Sequence, residues 1–136
     1  MKVGVVIVTH YRLGEEFLQA LRLIIPDAPP FRSVSVDPHQ SVEEMRGAIA
    51  ASLAAADTGE GVLILTDMFG GTPSNISLSF LDEHHVEVVT GINLPMLIKL
   101  ATLPEHKPLE DLAVFIKEYG QRNISVASEL LPGAHR

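Results

Sequence analysis

The sequence predicts an α/β fold, a doubly wound parallel sheet in the strand order 2-1-3-4 with helices on both faces. Two observations predict it. Short apolar runs rich in β-branched residues alternate with segments of helical spacing along the chain. The first run, Val3–Val8, has no polar side chain, which is typical of parallel strands buried on both faces. The length of 136 residues fits one domain, residues 1–136.

Apolar runs predict the strands, and the spacing of apolar residues together with capping residues and prolines predicts the helices. The four strands are Val3–Val8, Arg32–Val36, Gly61–Thr66 and Val86–Thr90. The helices have apolar side chains three and four residues apart and recognisable first and last residues. They are Leu13–Ile25, Ser41–Ala56, Pro73 to about Leu81 with Thr72 as its cap, Asn93–Leu103, and Pro108 to Tyr119 or Arg122.

The tail, residues 123–129, alternates apolar and polar side chains, with Ile124 and Val126 apolar. This alternation predicts a fifth strand, antiparallel and at the edge of the sheet. An edge strand leaves backbone groups unpaired, and pairing with another chain satisfies them. We therefore expect a homodimer in which Ile124 and Val126 contact the partner, as when protomers exchange an element.

Composition excludes several classes of function. The chain has no cysteine, which excludes disulfides, thiol catalysis and cysteine-bound metals. Its formal net charge is −7 and it has no run of Lys and Arg, so we expect no nucleic-acid partner. It carries neither a membrane-length apolar run nor a secretory signal. We expect a cytoplasmic protein with no direct membrane insertion.

Polar side chains follow the first and third strands. His10 comes shortly after Val8, and Asp67 comes directly after Thr66. In the order 2-1-3-4 these neighbouring strands end at the edge where doubly wound sheets bind ligands. A carboxylate that holds Nδ1–H of a histidine leaves Nε2 free as a nucleophile. We predict that His10 and Asp67 are the catalytic pair.

A glycine-rich turn follows Asp67. Gly70 and Gly71 allow close approach of the backbone, and Thr72 begins a helix whose free N–H groups favour an anion. We expect Thr9, Gly70, Gly71 and Thr72 to bind a phosphate carried by His10. An ordinary strand–helix turn would explain the glycines, but not their place beside His10.

Other sites are less favoured. The sequence lacks the P-loop, the dinucleotide-binding fingerprint and the nucleophile elbow. A receiver domain also has an aspartate after strand 3, but its Mg²⁺ ligands after strand 1 are replaced by Thr9 and His10. No histidine pair has metal-ligand spacing, so we predict no metal. The remaining histidines are interpreted as surface or loop residues, with only His39 at the correct edge: His39, His84, His85, His106 and His135.

Three motifs together resemble the IIA component of the mannose family of the sugar phosphotransferase system. They are Val-x-Thr9-His10, the segment from Thr66 to Asn75 (TDMFGGTPSN), and the segment from Gly91 to Leu97 (GINLPML). The resemblance runs across nearly the whole chain. It implies a phosphotransferase without a cofactor, in which His10 accepts a phosphoryl group from HPr and passes it to a IIB component, with Asp67 in support. Family members are dimers with a swapped C-terminal strand.

Two departures keep alternatives open. The family usually has glycine after the active histidine, whereas this chain has Tyr11 and then Arg12. Some members continue into a IIB domain, whereas this chain stops at Arg136, which implies a free-standing IIA protein. Besides sugar uptake, the hypotheses are a regulatory module switched by phosphorylation of His10 and the phosphotransferase subunit of a dihydroxyacetone kinase. The sequence does not name the sugar.

Overall fold

A computed structural model describes residues 2–83, 85–131 and 133. Its sheet has four parallel strands in the order β2-β1-β3-β4. The predicted fold class and strand order are therefore confirmed. The strands are β1 (Gly4–His10), β2 (Arg32–Val36), β3 (Val62–Thr66) and β4 (Val86–Thr90).

The helices lie close to their predicted positions. They are α1 (Leu13–Ile24), α2 (Val42–Ala56), α3 (Thr72–Leu78), α4 (Leu94–Thr102), α5 (Leu109–Arg122) and α6 (Ala127–Leu130). Ser41 precedes α2 in a capping box, in which its hydroxyl accepts from the Glu44 N–H at 3.1 Å and its own N–H donates to the Glu44 carboxylate at 3.0 Å. Helix α3 is shorter than predicted, and turns follow it up to residue 83.

Side chains that alternate along β1 build two separate cores. Val5 and Ile7 pack with residues of α1, α4 and α5 on one face. Val6 and Val8 pack with residues of α2 and α3 on the other face. Because both faces of β1 are covered, every side chain from Val5 to Val8 is buried, which explains its uninterrupted apolar sequence.

The predicted strand over residues 123–129 is wrong for the chain by itself. Residues 124–126 lie outside any regular element, and Ala127–Leu130 is a single helical turn, α6. The tail backbone is instead bonded locally, from the Glu129 N–H to the Val126 carbonyl at 3.0 Å and from the Leu131 N–H to the Ala127 carbonyl at 3.2 Å, and within the described residues it joins neither open edge of the sheet. Ile124, Val126, Leu130 and Leu131 are consequently exposed.

The described part of the chain contains no helix that is long and apolar enough to cross a membrane.

Candidate functional site

His10 and Asp67 meet at the carboxyl edge of the sheet, as predicted. His10 is the last residue of β1, and Asp67 follows the last residue of β3, its neighbour in the sheet. The Nδ1 atom of His10 lies 2.9 Å from Asp67 Oδ2. The backbone N–H of His10 donates to the same oxygen at 3.0 Å. One carboxylate oxygen thus fixes both the main chain and the ring of His10.

The second oxygen of Asp67 is also held. Oδ1 accepts a hydrogen bond from the Met68 N–H at 3.1 Å. The Asp67 side chain is 10% exposed, whereas the His10 side chain is 48% exposed. Because a carboxylate oxygen only accepts hydrogen bonds, its contact with Nδ1 places a proton on that nitrogen. The arrangement leaves Nε2 as the ring atom with an available lone pair.

The glycine turn lies directly against this free side of the ring. A Cβ atom at Gly71 would come within 2.6 Å of His10 Cε1 and 3.0 Å of Nε2. Gly71 has φ −86°, so its requirement is for space. Gly70 has φ +88°, a conformation that favours glycine. The structure therefore brings Gly71 to His10, whereas a Cβ atom at Gly70 would meet nothing within 4 Å.

Thr72 stands one position from its predicted role. Gly71, and not Thr72, is the cap of α3, and Thr72 is the first residue of the helix with no capping hydrogen bond from a side chain. The helix begins one residue earlier than predicted because proline fits the first turn of a helix, so Pro73 can be its second residue as well as its first. Thr72 directly follows Gly71, the residue that lies against the His10 ring.

Thr9 is not brought to the site by its side chain. The residue is fully buried, and its hydroxyl accepts a hydrogen bond from the Gly14 N–H at 2.7 Å. Consecutive residues of a strand point to opposite faces, so Thr9 points into the sheet's packing while His10 emerges. Thr9 is a positioning residue that ties the start of α1 to the end of β1.

The residue after His10 has an uncommon backbone. Tyr11 has φ +48°, which makes it the one non-glycine residue with positive φ in the described part of the chain, and its N–H donates to the Val36 carbonyl at 2.9 Å. Its side chain is 64% exposed. Arg12 is paired with Glu15 at 3.3 Å and Glu16 at 3.8 Å. Its guanidinium is thus engaged along α1.

Two apolar residues that the structure exposes were assigned no role in the sequence analysis. Met68 and Phe69 follow Asp67, and Phe69 is 71% exposed. Tyr11 directly follows His10 and Met68 directly follows Asp67, so exposed large side chains flank both members of the pair along the chain. Their position in the sequence could have shown that they are exposed. Large apolar residues in a turn between a buried strand and a short helix have no place in the core.

Of the other described histidines, His39 follows β2 at the same edge of the sheet without a contact to Asp67, whereas His85 and His106 lie elsewhere. His85 Nε2 is 3.2 Å from Glu110 Oε1 just before β4, at the opposite end of the sheet. Together with the Glu110 backbone N–H, which has the larger effect, this contact lowers the pKa of Glu110. His106 lies 3.5 Å from Glu60. His84 and His135 fall outside the described residues.

No metal-binding cluster occurs within residues 2–83, 85–131 and 133. No group of three or more histidine, cysteine, aspartate or glutamate side chains there could hold an ion.

Comparisons with known proteins identify the family of the chain. The family model described as "PTS system fructose IIA component" matches residues 4–117. The mannose-specific EIIAB component of Escherichia coli (strain K12) is 29% identical over 126 residues, which cover 91% of this chain and 39% of that protein. The sorbose-specific EIIA component of Lacticaseibacillus casei is 30% identical over 98 residues, 71% of this chain and 70% of that protein.

A solved structure shows the same architecture. The mannose/sorbose specific IIA subunit from Enterococcus faecalis aligns with a TM-score of 0.83 at 28% identity, covering 93% of this chain and 95% of that one. The chain spans only 39% of the length of the mannose-specific relatives that it matches.

Proposed function

The chain belongs to the mannose family of IIA components of the sugar phosphotransferase system, and on that premise we propose that it is a phosphocarrier. His10 accepts a phosphoryl group from phospho-HPr and passes it to a IIB component, which uses it for sugar uptake and phosphorylation. The observation that carries the proposal is the double contact of Asp67 Oδ2 with the N–H and Nδ1 of His10. That contact leaves Nε2 exposed and nucleophilic.

The chemical step is a direct exchange of bonds at phosphorus. The Nε2 lone pair of His10 forms a bond to phosphorus while the bond between phosphorus and its donor in phospho-HPr breaks. The Nδ1 proton stays in its hydrogen bond to Asp67, whose carboxylate stabilises the positive charge that develops on the ring. Transfer to the IIB component runs the same exchange with the acceptor as nucleophile.

The glycine turn supports the transferred group. A Cβ atom at Gly71 would lie 3.0 Å from Nε2. The Gly71 backbone therefore lies close to any group that is bound to Nε2. Backbone N–H groups of Gly71 and Thr72 are suited to the charged phosphoryl oxygens. Thr9 contributes through the position of its backbone, because its hydroxyl is committed to Gly14.

Labelling tests the proposal. The protein is incubated with phosphoenolpyruvate, enzyme I and HPr, and the modified residue is mapped. We expect one phosphoryl group on His10 that is labile to acid and stable to alkali. His10→Ala should abolish it. His39→Ala is the matched control, since His39 follows β2 at the same edge of the sheet without the Asp67 contact. Equal labelling of the wild type and His10→Ala would refute the proposal.

We also propose that the chain forms a homodimer through its tail. Among the residues that the structure describes, strand β4 pairs with β3 alone, so its outer edge is open. A groove of about 290 Å³ lies between that edge and α5, lined by β4 and by residues such as Ala113 and Val114. The exposed Ile124 and Val126 of a second copy supply apolar side chains that suit such an edge, and the backbone of Val126 is extended.

A further inference from the structure

A second cavity lies at the amino end of the sheet, away from His10. Its volume is about 350 Å³, and it opens between the first residues of β1, the end of α2 and the connection from α4 to α5. Its walls are largely apolar and include Val3, Phe31, Leu100, Leu103 and Leu112. The volume and the apolar walls are those of a site for a small molecule.

The rim of this cavity is positively charged, although the chain has a net charge of −7. Lys2, Arg32, Lys107 and Glu105 line it. Lys107 lies 3.6 Å from the Glu105 carboxylate. Arg32, the exposed first residue of β2, and Lys2 form no ion pair with any residue that the structure describes. Two cations therefore remain available at the mouth of an apolar cavity.

We propose that this cavity binds a small amphipathic monocarboxylate, with its apolar body between Phe31 and Leu103 and its carboxylate at Arg32. A guanidinium offers two parallel N–H donors to a carboxylate, which makes Arg32 the matching partner for the acidic head. The head lies away from Ala55 and Ala56, because the carbonyls at the end of α2 carry partial negative charge. The site is independent of phosphorylation at His10.

Octanoate is the first probe, because it combines one carboxylate with an unbranched apolar chain. Backbone amide resonances of the ¹⁵N-labelled full chain are followed during titration with octanoate, octylammonium or octanol. We expect octanoate to shift the resonances of Val3, Phe31 and Leu103 and to bind at least about tenfold more tightly than octylammonium, as one charge-assisted contact implies. Equal binding of octanoate and octylammonium, or octanoate shifts confined to the surface around Phe69, would overturn the proposal.

Two exposed positions give the deciding variants. Arg32→Glu should weaken octanoate binding by about tenfold or more, and Arg22→Glu, the same charge change at an exposed arginine outside the cavity, should not. Ala55→Trp should block the cavity from the last turn of α2 without touching the core, because Ala55 is exposed. Thermal unfolding verifies that each variant is folded. Unchanged octanoate affinity in a folded Arg32→Glu variant or a folded Ala55→Trp variant would remove the site.

Discussion

Asp67 Oδ2 holds His10 at its backbone N–H and at Nδ1, and this pair of contacts sets which ring nitrogen reacts. The His10 side chain remains about half exposed, whereas Asp67 is nearly buried. Nε2 is thus accessible from solvent, while the carboxylate that orients the ring is nearly buried. Both features matter for group transfer, since the nucleophile must be accessible and its tautomer must be fixed.

Asp67→Asn should preserve the fold and slow phosphoryl transfer from phospho-HPr by roughly ten- to a hundredfold, which corresponds to losing one charged hydrogen bond of about 1.5–3 kcal/mol. An amide does not stabilise a positively charged ring as a carboxylate does, and its NH₂ group can select the other tautomer. Rapid-mixing measurements of transfer give the rate, and circular dichroism verifies the fold. A wild-type rate in this variant would exclude Asp67 from the mechanism.

Gly71→Ala should also slow transfer by about ten- to a hundredfold, because the new Cβ would lie 2.6 Å from His10 Cε1 and displace the ring. Gly71 has a negative φ, so the variant tests space and not backbone strain. Gly47→Ala is the matched control. No atom lies within 4 Å of a Cβ at this position in α2, so transfer should be unchanged and the free energy of unfolding should rise by about 0.5–1 kcal/mol. Similar transfer rates in the two variants would contradict the role of Gly71.

The sequence predicted that His10 and Asp67 lie close together because neighbouring parallel strands end at the same edge of a sheet, regardless of how their side chains pack. It did not reveal that the Thr9 hydroxyl accepts a hydrogen bond from the Gly14 N–H. Residue type and spacing do not tell which of several partners a hydroxyl meets. The positive φ of Tyr11 was equally hidden, since a tyrosine carries no sign of a left-handed backbone.

At the scale of elements, the strands were predictable because each is an apolar run between turn residues, and β2 and β4 match their predicted bounds. The tail was not. Alternation of Ile124 and Val126 predicts a strand only where the segment pairs with a neighbouring strand, and within the described residues the tail pairs with neither open edge of the sheet. Two apolar residues over a few positions are also too short a pattern to separate a strand from an irregular segment ending in a helical turn.

The capping box at the start of α2 gives a prediction about stability. Ser41→Ala should lower the free energy of unfolding by about 1 kcal/mol, because the Glu44 N–H loses its acceptor. Urea unfolding at neutral pH measures the difference. A change in the opposite direction, or none, would mean that water replaces the Ser41 hydroxyl at no cost.

The same cap should depend on pH. The hydrogen bond from the Ser41 backbone N–H, followed by the Ser41 side chain, lowers the pKa of Glu44 from its ordinary value of 4.5. A lowered pKa means that the contribution to stability is present above 4.5 and is lost as the pH falls through the folded-state value. The stability difference between the wild type and Glu44→Gln should therefore shrink as the pH is lowered below 4.5. A difference that is constant across this range would contradict the cap's dependence on the ionised carboxylate.

At the scale of the whole molecule, the sheet separates two kinds of surface. Its carboxyl end presents His10 and exposed aromatic residues such as Tyr11 and Phe69, and aromatic side chains are enriched where proteins meet. Its amino end presents an apolar cavity lined by the cationic side chains of Lys2 and Arg32. The family and the fold account for the first surface. The second lies at the end of the sheet where a doubly wound fold places no site of its own, so only the side chains of this chain point to it.

Assembly is the remaining property at this scale. The open edge of β4 and the exposed Ile124 and Val126 are both unfavourable in an isolated chain, because unpaired edges and apolar side chains favour association. We expect the full chain to sediment as a dimer at micromolar concentration. The double variant Ile124→Asp with Val126→Asp should sediment as a monomer, since two carboxylates cannot be buried against the β4 edge without partners.

Leu23→Asp is the matched control for this experiment, because Leu23 is 84% exposed on α1, outside the tail. It introduces the same kind of charge and should leave the dimer intact. A chain ending at Gln121 tests the tail as a whole and should be monomeric. If the full chain and the chain ending at Gln121 both sediment as monomers, the dimer is wrong. If both sediment as dimers, subunits associate through a surface other than the tail.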